Sequence, residues 1–236
     1  MKVNHAVVLA AGKGTRMDGV IGNTPKCLIE FNGKTLLERT LDKLYKISFE
    51  QIHVVVGYEK EQIVNHVRDL GYKKVNFIVN DYFADRGSMY SLTEAFMRIR
   101  CSTWVFDADL FFDENIFNEI SNLDIDSTFL TTHSGSNDET VPIFVKGNFQ
   151  EFKKVRGNDN PEMLGITLLR AKTLRLMSEI DFLHDFKLSY ESALSKAIIE
   201  NALPLNLLYV PEYIWSDIDN QDDIERLERI LRAHES

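Results

Sequence analysis

The stretch that decides the fold is residues 7–17, which read VVLAAGKGTRM. An apolar run typical of a buried strand ends at Leu9 and passes directly into small residues, two glycines and two cations. A loop with so little side-chain bulk lets backbone N–H groups close on phosphate oxygens, and Lys13 and Arg16 would add positive charge. The same residues also suit a plain β-turn, so the loop alone leaves both interpretations open.

The loop matches neither of two widespread phosphate-binding motifs. The dinucleotide-binding pattern GxGxxG would need glycine where Met17 stands. A P-loop would need glycine at Leu28 to accompany Gly33-Lys34-Thr35. Both of these nucleotide-binding classes are therefore excluded.

Beyond the loop, short apolar runs alternate with amphipathic segments. Leu37, Leu41 and Leu44, for example, share one face of a helix. Such alternation is typical of an α/β fold, in which helices flank a mostly parallel sheet. It predicts strands at residues 6–9, 52–56, 75–79, 104–106 and 205–210, and helices at 35–47, 59–70, 89–99, 190–201 and 224–231.

The pattern changes between residues 127 and 170, where short strands alternate with polar turns at 134–138 and 157–161. We expect a small mixed β insertion there. With 236 residues, 44% of them hydrophobic, the chain can bury one substantial core. We therefore predict a single domain over residues 1–236 that contains the β subregion at about 127–170.

Composition limits the partners and the compartment. The formal net charge of −9 disfavours nucleic acid and anionic membranes. The N-terminus lacks a signal-peptide layout, and no apolar run approaches the roughly 20 residues that span a bilayer, so we expect a soluble, cytoplasmic protein. Cys27 and Cys101 lie far apart without metal-ligand spacing, which favours buried thiols over a disulfide or a zinc site.

Two further segments make the glycine-rich loop specific: residues 23–29 read NTPKCLI and residues 32–37 read NGKTLL. Together with LAAGKGTR, they resemble the sugar-nucleotide pyrophosphorylase-like nucleotidyltransferases, which carry LAAGxGxR, then a P-K pair and a G-K/R turn. The resemblance implies a Rossmann-like, GT-A-like nucleotidyltransferase fold.

The resemblance also implies roles for the loop and for the lysine of the P-K pair. In the family the loop wraps a nucleoside triphosphate, the arginine meets its phosphates, and the lysine lies between the α-phosphorus and the incoming phosphate. By resemblance, Lys26 and Arg16 are catalytic, although an ordinary surface lysine is the alternative for Lys26. The nucleotide would lie against Leu9, Ala10, Ala11, Gly12, Lys13, Gly14 and Thr15.

Acidic residues follow the strand at 104–106, and ligands gather at the carboxyl ends of strands in open α/β sheets. A carboxylate pair there suits Mg²⁺, which prefers oxygen ligands and shares its shell with substrate phosphates. By resemblance, Asp109 is the metal ligand, and Asp107 supports it and borders the nucleotide. By the same resemblance, a second acidic segment near the C-terminus supplies another metal ligand, which is Asp219, with Asp217 as the alternate. Capping of the terminal helix by Asp219 or Asn220 is the other interpretation.

Residues 80–92, NDYFADRGSMYSL, resemble the branch of the family that makes CMP-diesters of phosphocholine or 2-aminoethylphosphonate. Asn80, Gly87 and Ser88 would then meet the base, because glycine allows close approach and a helix start presents N–H groups. This spacing does not separate cytosine from uracil.

The acceptor side is less defined. A choline-like cation would need aromatic faces and an amine would need a carboxylate, so the candidates are Tyr82, Phe83, Tyr190, Glu191 and Trp215, each of which could instead be packing. Phosphocholine-activating relatives carry a tryptophan where this chain has residues 139–141, ETV, and this departure argues against choline itself.

The residues and the resemblance together predict a cytidylyltransferase that uses Mg²⁺, CTP and a small phosphate- or phosphonate-bearing alcohol, and that releases pyrophosphate. Three alternatives stay open. They are a sugar-1-phosphate nucleotidyltransferase using UTP or dTTP, a glycosyltransferase with Asp107-Ala108-Asp109 as its D-x-D motif, and a nucleotide-sensing module without turnover. The sequence does not indicate an oligomeric state.

Overall fold

The structure is a computed structural model that describes residues 3–14, 22–120, 125–133, 139–145, 148–155, 161–180, 187–210 and 213–234. Helices within this part of the chain are α1 (Leu36–Ile47), α2 (Lys60–Asp69), α3 (Ser88–Ile99), α4 (Ile116–Ile120), α5 (Ala171–Met177), α6 (Tyr190–Asn201) and α7 (Gln221–His234). Strands are β1 (His5–Ala10), β2 (Glu30–Phe31), β3 (Lys34–Thr35), β4 (Gln51–Val56), β5 (Val75–Val79), β6 (Thr103–Asp107), β7 (Leu110–Phe112), β8 (Thr128–His133), β9 (Glu139–Val145), β10 (Asn148–Val155), β11 (Pro161–Leu169), β12 (Asn206–Tyr209) and β13 (Trp215–Asp217).

Seven of the strands form one sheet in the order β12-β8-β11-β6-β1-β4-β5. β1 pairs in parallel with β4 and β6, β5 with β4, and β12 with β8, whereas β11 runs antiparallel between β6 and β8. The predicted α/β fold with a mostly parallel sheet is confirmed.

The helices form where the apolar spacing predicts them. In α1, Leu37, Leu41 and Leu44 are fully buried, and the Thr35 hydroxyl caps the helix by accepting a hydrogen bond from the Glu38 N–H at 3.1 Å. A hydroxyl at this position satisfies one of the donors that every helix start leaves open. The buried face and the cap together fix α1 against the sheet.

The predicted β subregion at 127–170 divides between two sheets. β8 and β11 extend the main sheet, while β9 and β10 pair with each other as an antiparallel hairpin. The predicted turn at 134–138 and residues 157–160 of the second turn lie outside the described residues, and Pro161 already belongs to β11.

The register of the central strands places their carboxyl ends at one edge of the sheet. Leu9 lies opposite Asp107 in β6, and Ala10 lies opposite Val56 in β4. The chain following each strand is tied to its neighbour, since Ala108 N donates to Leu9 O at 3.3 Å and Tyr58 N donates to Ala11 O at 3.0 Å. The glycine-rich loop after β1 therefore lies next to the acidic segment 107–109 that follows β6.

No helix in the described part of the chain is long and apolar enough to cross a membrane. Cys27 is buried, Cys101 is partly buried, and both are free thiols. The expectation of buried thiols is thus met fully at Cys27 and partly at Cys101.

Candidate active site

The glycine-rich loop packs directly on Lys26. Gly14 has a positive φ of 65°, and a Cβ added to it would lie 3.0 Å from Cβ and 3.3 Å from Cδ of Lys26. Only glycine adopts this backbone conformation while leaving room for the lysine stem. The two halves of the sequence signature are therefore in contact.

Lys26 begins a short 3-10 turn that fixes its backbone. The turn is closed by Leu28 N, which donates to Pro25 O at 2.8 Å, and by Ile29 N, which donates to Lys26 O at 3.1 Å. The residue is buried, with its side chain 10% exposed. The alternative of an ordinary surface lysine is not consistent with this placement.

A pair of strands brings together the two acidic segments, residues 107–109 and 217–219. β7 and β13 run antiparallel with Asp217 opposite Leu110, and Ile218 N donates to Asp109 O at 3.1 Å. Residues that are far apart in the chain are thereby held side by side. The pairing places Asp219 next to Asp109.

The ammonium of Lys26 lies between these two carboxylates. Its Nζ is 2.6 Å from Oδ2 of Asp109 and 2.6 Å from Oδ1 of Asp219. Burial alone would lower the pKa of Lys26, but the two carboxylates outweigh it and hold that pKa above its usual value. Lys26 is therefore cationic at neutral pH.

Asn220, not Asp219, caps the terminal helix. Asp223 N donates to Oδ1 of Asn220 at 3.1 Å, and Oδ2 of Asp223 accepts from the N–H groups of Asp219 and Asn220 at 2.9 and 3.0 Å. This reciprocal arrangement is a capping box. The box fixes the backbone at Asp219 and leaves its carboxylate directed at Lys26.

Two adjoining cavities open on this edge of the sheet and share Leu9, Gly12 and Asp109. The first has a volume of about 300 Å³ and contains the Lys26 cluster; it is also lined by Ala10, Gly14, Cys27, Ala108 and Asp219. The second has a volume of about 320 Å³ and is also lined by Ala11, Asn80, Phe83, Arg86, Gly87, Ser88, Ser91, Asp107, Ser189, Glu191 and Asp217. Predicted nucleotide and metal residues, together with the acceptor candidates Phe83 and Glu191, thus line two cavities that share part of their walls.

The second cavity is rich in carboxylates. Burial, followed by the charges of Glu191, Asp109 and Asp217, raises the pKa of Asp107 well above its usual range. Burial likewise raises the pKa of Glu191. The hydroxyl of Tyr190 lies 3.3 Å from Oδ2 of Asp107. Several carboxyl groups are therefore crowded together here, and burial favours the uncharged form of Asp107 and Glu191.

Asn80 shapes the loop that borders this cavity. Its buried amide donates to Oγ of Ser91 at 2.9 Å, and its Oδ1 accepts from Tyr82 N at 2.9 Å. This pattern is an Asx turn, in which the side chain replaces a backbone partner. The predicted contact of Asn80 with the base stays a prediction.

Gly87 and Ser88 hold the start of α3 against the segment before α6. A Cβ added to Gly87 would lie 2.1 Å from the backbone oxygen of Leu188, so the space that glycine provides is filled by that segment. Oγ of Ser88 accepts from Tyr190 N at 2.9 Å. The close approach at Gly87 is therefore to the protein's own backbone.

Replacing Gly87 with alanine should lower the free energy of unfolding by about 2 kcal/mol, because the new methyl group collides with a backbone carbonyl. Gly12→Ala is the matched control, since nothing lies within 4 Å of a Cβ at Gly12 and the loss should stay within about 0.5 kcal/mol. Urea unfolding of both variants measures the difference. Equal losses would contradict the assigned contact.

The other predicted residues do not line either cavity or lie outside the described residues. Lys13 is exposed, with Nζ 5.9 Å from the centre of the Tyr58 ring. Tyr82 is 53% exposed and packs edge-on against Tyr90. Trp215 packs against the main core cluster. Thr15 and Arg16 lie outside the described residues.

Sequence reasoning missed Arg86, Ser91 and Ser189, which also line the second cavity. Arg86 and Ser91 lie within the 80–92 motif and could have been proposed from it. Ser189 caps α6 by accepting from Ser192 N at 3.2 Å, and a serine before a helix suggests only this capping role. Its place in the cavity depends on tertiary packing.

The two aspartates are a suitable donor set for Mg²⁺. Their oxygens converge on one cation, the Lys26 ammonium, and Mg²⁺ is commonly bound by one or two carboxylates together with substrate phosphates and water. Among the described residues no group of three or more His, Cys, Asp or Glu side chains is placed to hold a metal ion. A metal here would take its remaining ligands from phosphate and water.

The fold and this site define a class, the nucleotidyltransferases. Residues 6–165, more than half of the chain, match the MobA-like NTP transferase domain, and the chain therefore belongs to that family. The family assignment confirms the nucleotidyltransferase prediction over the glycosyltransferase alternative.

Three curated relatives show the range of the family. The choline-phosphate cytidylyltransferase of Streptococcus pneumoniae is 36% identical over 112 residues, 48% of this chain and 47% of the relative. The bifunctional protein GlmU of Methanococcus aeolicus is 33% identical over 143 residues, 61% of this chain and 33% of the relative. The 2-aminoethylphosphonate cytidylyltransferase of Lancefieldella rimae is 29% identical over 184 residues, 77% of this chain and 72% of the relative. The chain thus spans less than half the length of the first two.

A solved structure extends the similarity to almost the whole chain. The CTP:phosphocholine cytidylyltransferase from Streptococcus pneumoniae superposes with a TM-score of 0.77 at 25% identity, covering 97% of this chain and 100% of that one. The predicted fold is therefore confirmed beyond residues 6–165.

Proposed function

We propose that this chain is a cytidylyltransferase that transfers CMP from CTP to a small phosphate- or phosphonate-bearing amino alcohol. The acceptor oxygen would attack the α-phosphorus of CTP, a new P–O bond would form, and the bond to the β-phosphate would break with release of pyrophosphate. The observation that carries the proposal is the Lys26, Asp109 and Asp219 cluster, which lies where the glycine-rich loop meets both cavities.

Charge and position explain how this cluster would work. The transition state spreads negative charge over the α-phosphate oxygens, and a fixed cation at that point stabilises it more than the ground state. Lys26 supplies such a cation from a rigid turn. Asp109 and Asp219 would hold Mg²⁺, which when bound neutralises charge on the triphosphate. No general base is needed, because a phosphate ester oxygen with a second pKa of about 6 is largely ionised at pH 7.

The acidic second cavity supports a cationic acceptor. Asp107, Glu191 and Asp217 line it beside Asp109, and an ammonium bound among them would relieve the repulsion between these carboxylates. A phosphorylated sugar carries no such cation. The cavity therefore favours acceptors such as 2-aminoethylphosphonate, phosphoethanolamine or phosphocholine.

One alternative has a specific observation in its favour. The similarity to GlmU, together with a glycine-rich loop that would serve any nucleoside triphosphate, suits a sugar-1-phosphate nucleotidyltransferase that uses UTP or dTTP. This alternative does not require the cluster of carboxyl groups around Glu191. We rank it second for that reason.

A pyrophosphate-release screen with Mg²⁺ tests the proposal. CTP, UTP, dTTP, ATP and GTP would each be paired with 2-aminoethylphosphonate, phosphoethanolamine, phosphocholine, glycerol phosphate and sugar 1-phosphates. Glycerol phosphate is the matched control because it presents a similar phosphate without a cation. We expect the fastest release with CTP and a cationic acceptor, and a kcat/KM at least about tenfold lower for glycerol phosphate, equivalent to about 1.4 kcal/mol.

The other outcomes of the screen are equally informative. Preference for UTP or dTTP with a sugar 1-phosphate would transfer the assignment to the second candidate. Absence of release with every pair, from protein that is shown to be folded, would contradict both and favour a nucleotide-sensing role.

A further inference from the structure

We propose that Lys26 acts as a resident counter-ion that blocks metal binding in the ligand-free protein and leaves the two aspartates only when a triphosphate enters. The inference rests on the proposed function in taking Asp109 and Asp219 as metal ligands. It adds an order of events: metal and triphosphate bind together, and Lys26 moves from carboxylate to phosphate.

The ammonium of Lys26 already occupies the place between the two aspartates. One Nζ lies 2.6 Å from an oxygen of each aspartate, which is the point on which both carboxylates converge. The side chain of Lys26 is 10% exposed, while those of Asp109 and Asp219 are 34% and 37% exposed. Lys26 therefore occupies the inner side of the space between the carboxylates of Asp109 and Asp219.

The net charge of Lys26, Asp109 and Asp219 disfavours a metal ion beside the lysine. The two carboxylates and the one ammonium of this cluster carry a net charge of −1, and a divalent ion added beside the lysine would change the sum over these groups to +1. Like charges at such short range in a partly buried site repel strongly. A triphosphate reverses the balance because its oxygens accept both cations. Metal binding without nucleotide should therefore be weak.

The side chain of Lys26 can reach from the two aspartates to the glycine-rich loop. Its backbone is fixed in the 3-10 turn, but its stem touches Gly14 of the glycine-rich loop, with Cβ 3.0 Å and Cδ 3.3 Å from the position of a Gly14 Cβ. A phosphate bound by the loop would thus lie beside the same flexible stem. Rotation of the side chain alone could carry the ammonium from the aspartates to the phosphate.

The test measures metal binding in the absence of nucleotide and acceptor. Mn²⁺, used as a probe for Mg²⁺, is titrated by electron paramagnetic resonance into the wild type and into Lys26→Met, Lys26→Gln and Lys26→Arg. We expect the two neutral variants to bind Mn²⁺ at least about tenfold more tightly than the wild type, within the usual range of coupling between sites. Lys26→Arg, which keeps the charge, should bind it as weakly as the wild type.

Lys34→Met is the matched control, because Lys34 also bridges two carboxylates, Glu38 and Asp42, but at the surface. It should leave Mn²⁺ affinity within about twofold of the wild type. Equal or weaker Mn²⁺ binding by both neutral variants would overturn the proposal. So would a rise in affinity for Lys26→Arg that matches theirs.

A second measurement keeps the test open if a variant folds poorly. Thermal unfolding of the wild type with Mg²⁺ alone should show almost no stabilisation, whereas Mg²⁺ with one of the four common ribonucleoside triphosphates should raise the midpoint. A clear rise with Mg²⁺ alone would contradict the proposal. Because neither experiment depends on CTP or on an acceptor, failure of the cytidylyltransferase assignment would leave both results interpretable.

Discussion

Lys26→Met should lower kcat by about three orders of magnitude while the protein stays folded. The ammonium that this change removes is the cation that the proposed function places beside the α-phosphate, and loss of one group that stabilises transition-state charge costs about 10²- to 10³-fold, or more for a charged group. The methylene stem that packs on Gly14 is largely preserved by methionine. Steady-state pyrophosphate release measures the effect, and circular dichroism checks the fold.

Lys34→Met is the control for this experiment. Lys34 is 45% exposed and pairs with Glu38 and Asp42 on the surface, so the same chemical change should leave kcat within about twofold. A Lys26→Met enzyme with near-normal kcat would remove Lys26 from the mechanism. Equal losses in the two variants would point to a general effect of charge instead of a local one.

Asp109→Asn should lower kcat by about 10³-fold or more while the protein stays folded. The substitution removes a charged oxygen from the pair that would hold the metal, while the structural tie to Ile218 persists because it uses the backbone oxygen of Asp109. Raising the Mg²⁺ concentration should recover part of the activity. Kinetics at several Mg²⁺ concentrations measure both effects.

The second aspartate provides a test of cooperation. If Asp109 and Asp219 act on one ion, the double Asn variant should lose little more activity than either single variant, since groups that work as a unit are not additive. Asp222→Asn, an exposed change in the first turn of α7, should have no effect on kcat. Fully additive losses at Asp109 and Asp219 would indicate separate roles.

The local elements of the fold were predictable because their signals are local. α1 was predicted at 35–47 and runs over Leu36–Ile47, with Thr35 as its cap. α2 was predicted at 59–70 and runs over Lys60–Asp69. In each helix, apolar side chains three and four residues apart mark a buried face.

Long-range pairings could not be predicted in the same way. The predicted β subregion did not reveal that β8 and β11 would join the main sheet, because strand pairing across the fold leaves no periodic trace in the sequence. The same holds for the contact of Gly87 with Leu188. Glycine marked the site of a close approach but not its partner.

The candidate site illustrates both cases. Lys26 was proposed from the P-K pair, and Asp109 and Asp219 were proposed separately from two acidic segments of the chain. In the structure Lys26 contacts Asp109, which is 83 positions away in the chain, and Asp219, which is 193 positions away. The β7–β13 pair brings the two aspartates together beside Lys26, and no short-range pattern indicates that pairing. That Lys26 bridges both aspartates followed only from the structure.

Transfer of label from CTP carrying ³²P at its α-phosphate tests the central claim most directly. The chain would be incubated with this CTP, Mg²⁺ and 2-aminoethylphosphonate or phosphocholine, with Lys26→Met in parallel. We predict that the wild type moves the label into a product that contains the acceptor, with one pyrophosphate released per product, and that Lys26→Met does so about 10³-fold more slowly. Label that stays in CTP, or appears only in free CMP, would contradict the assignment of this chain as a cytidylyltransferase.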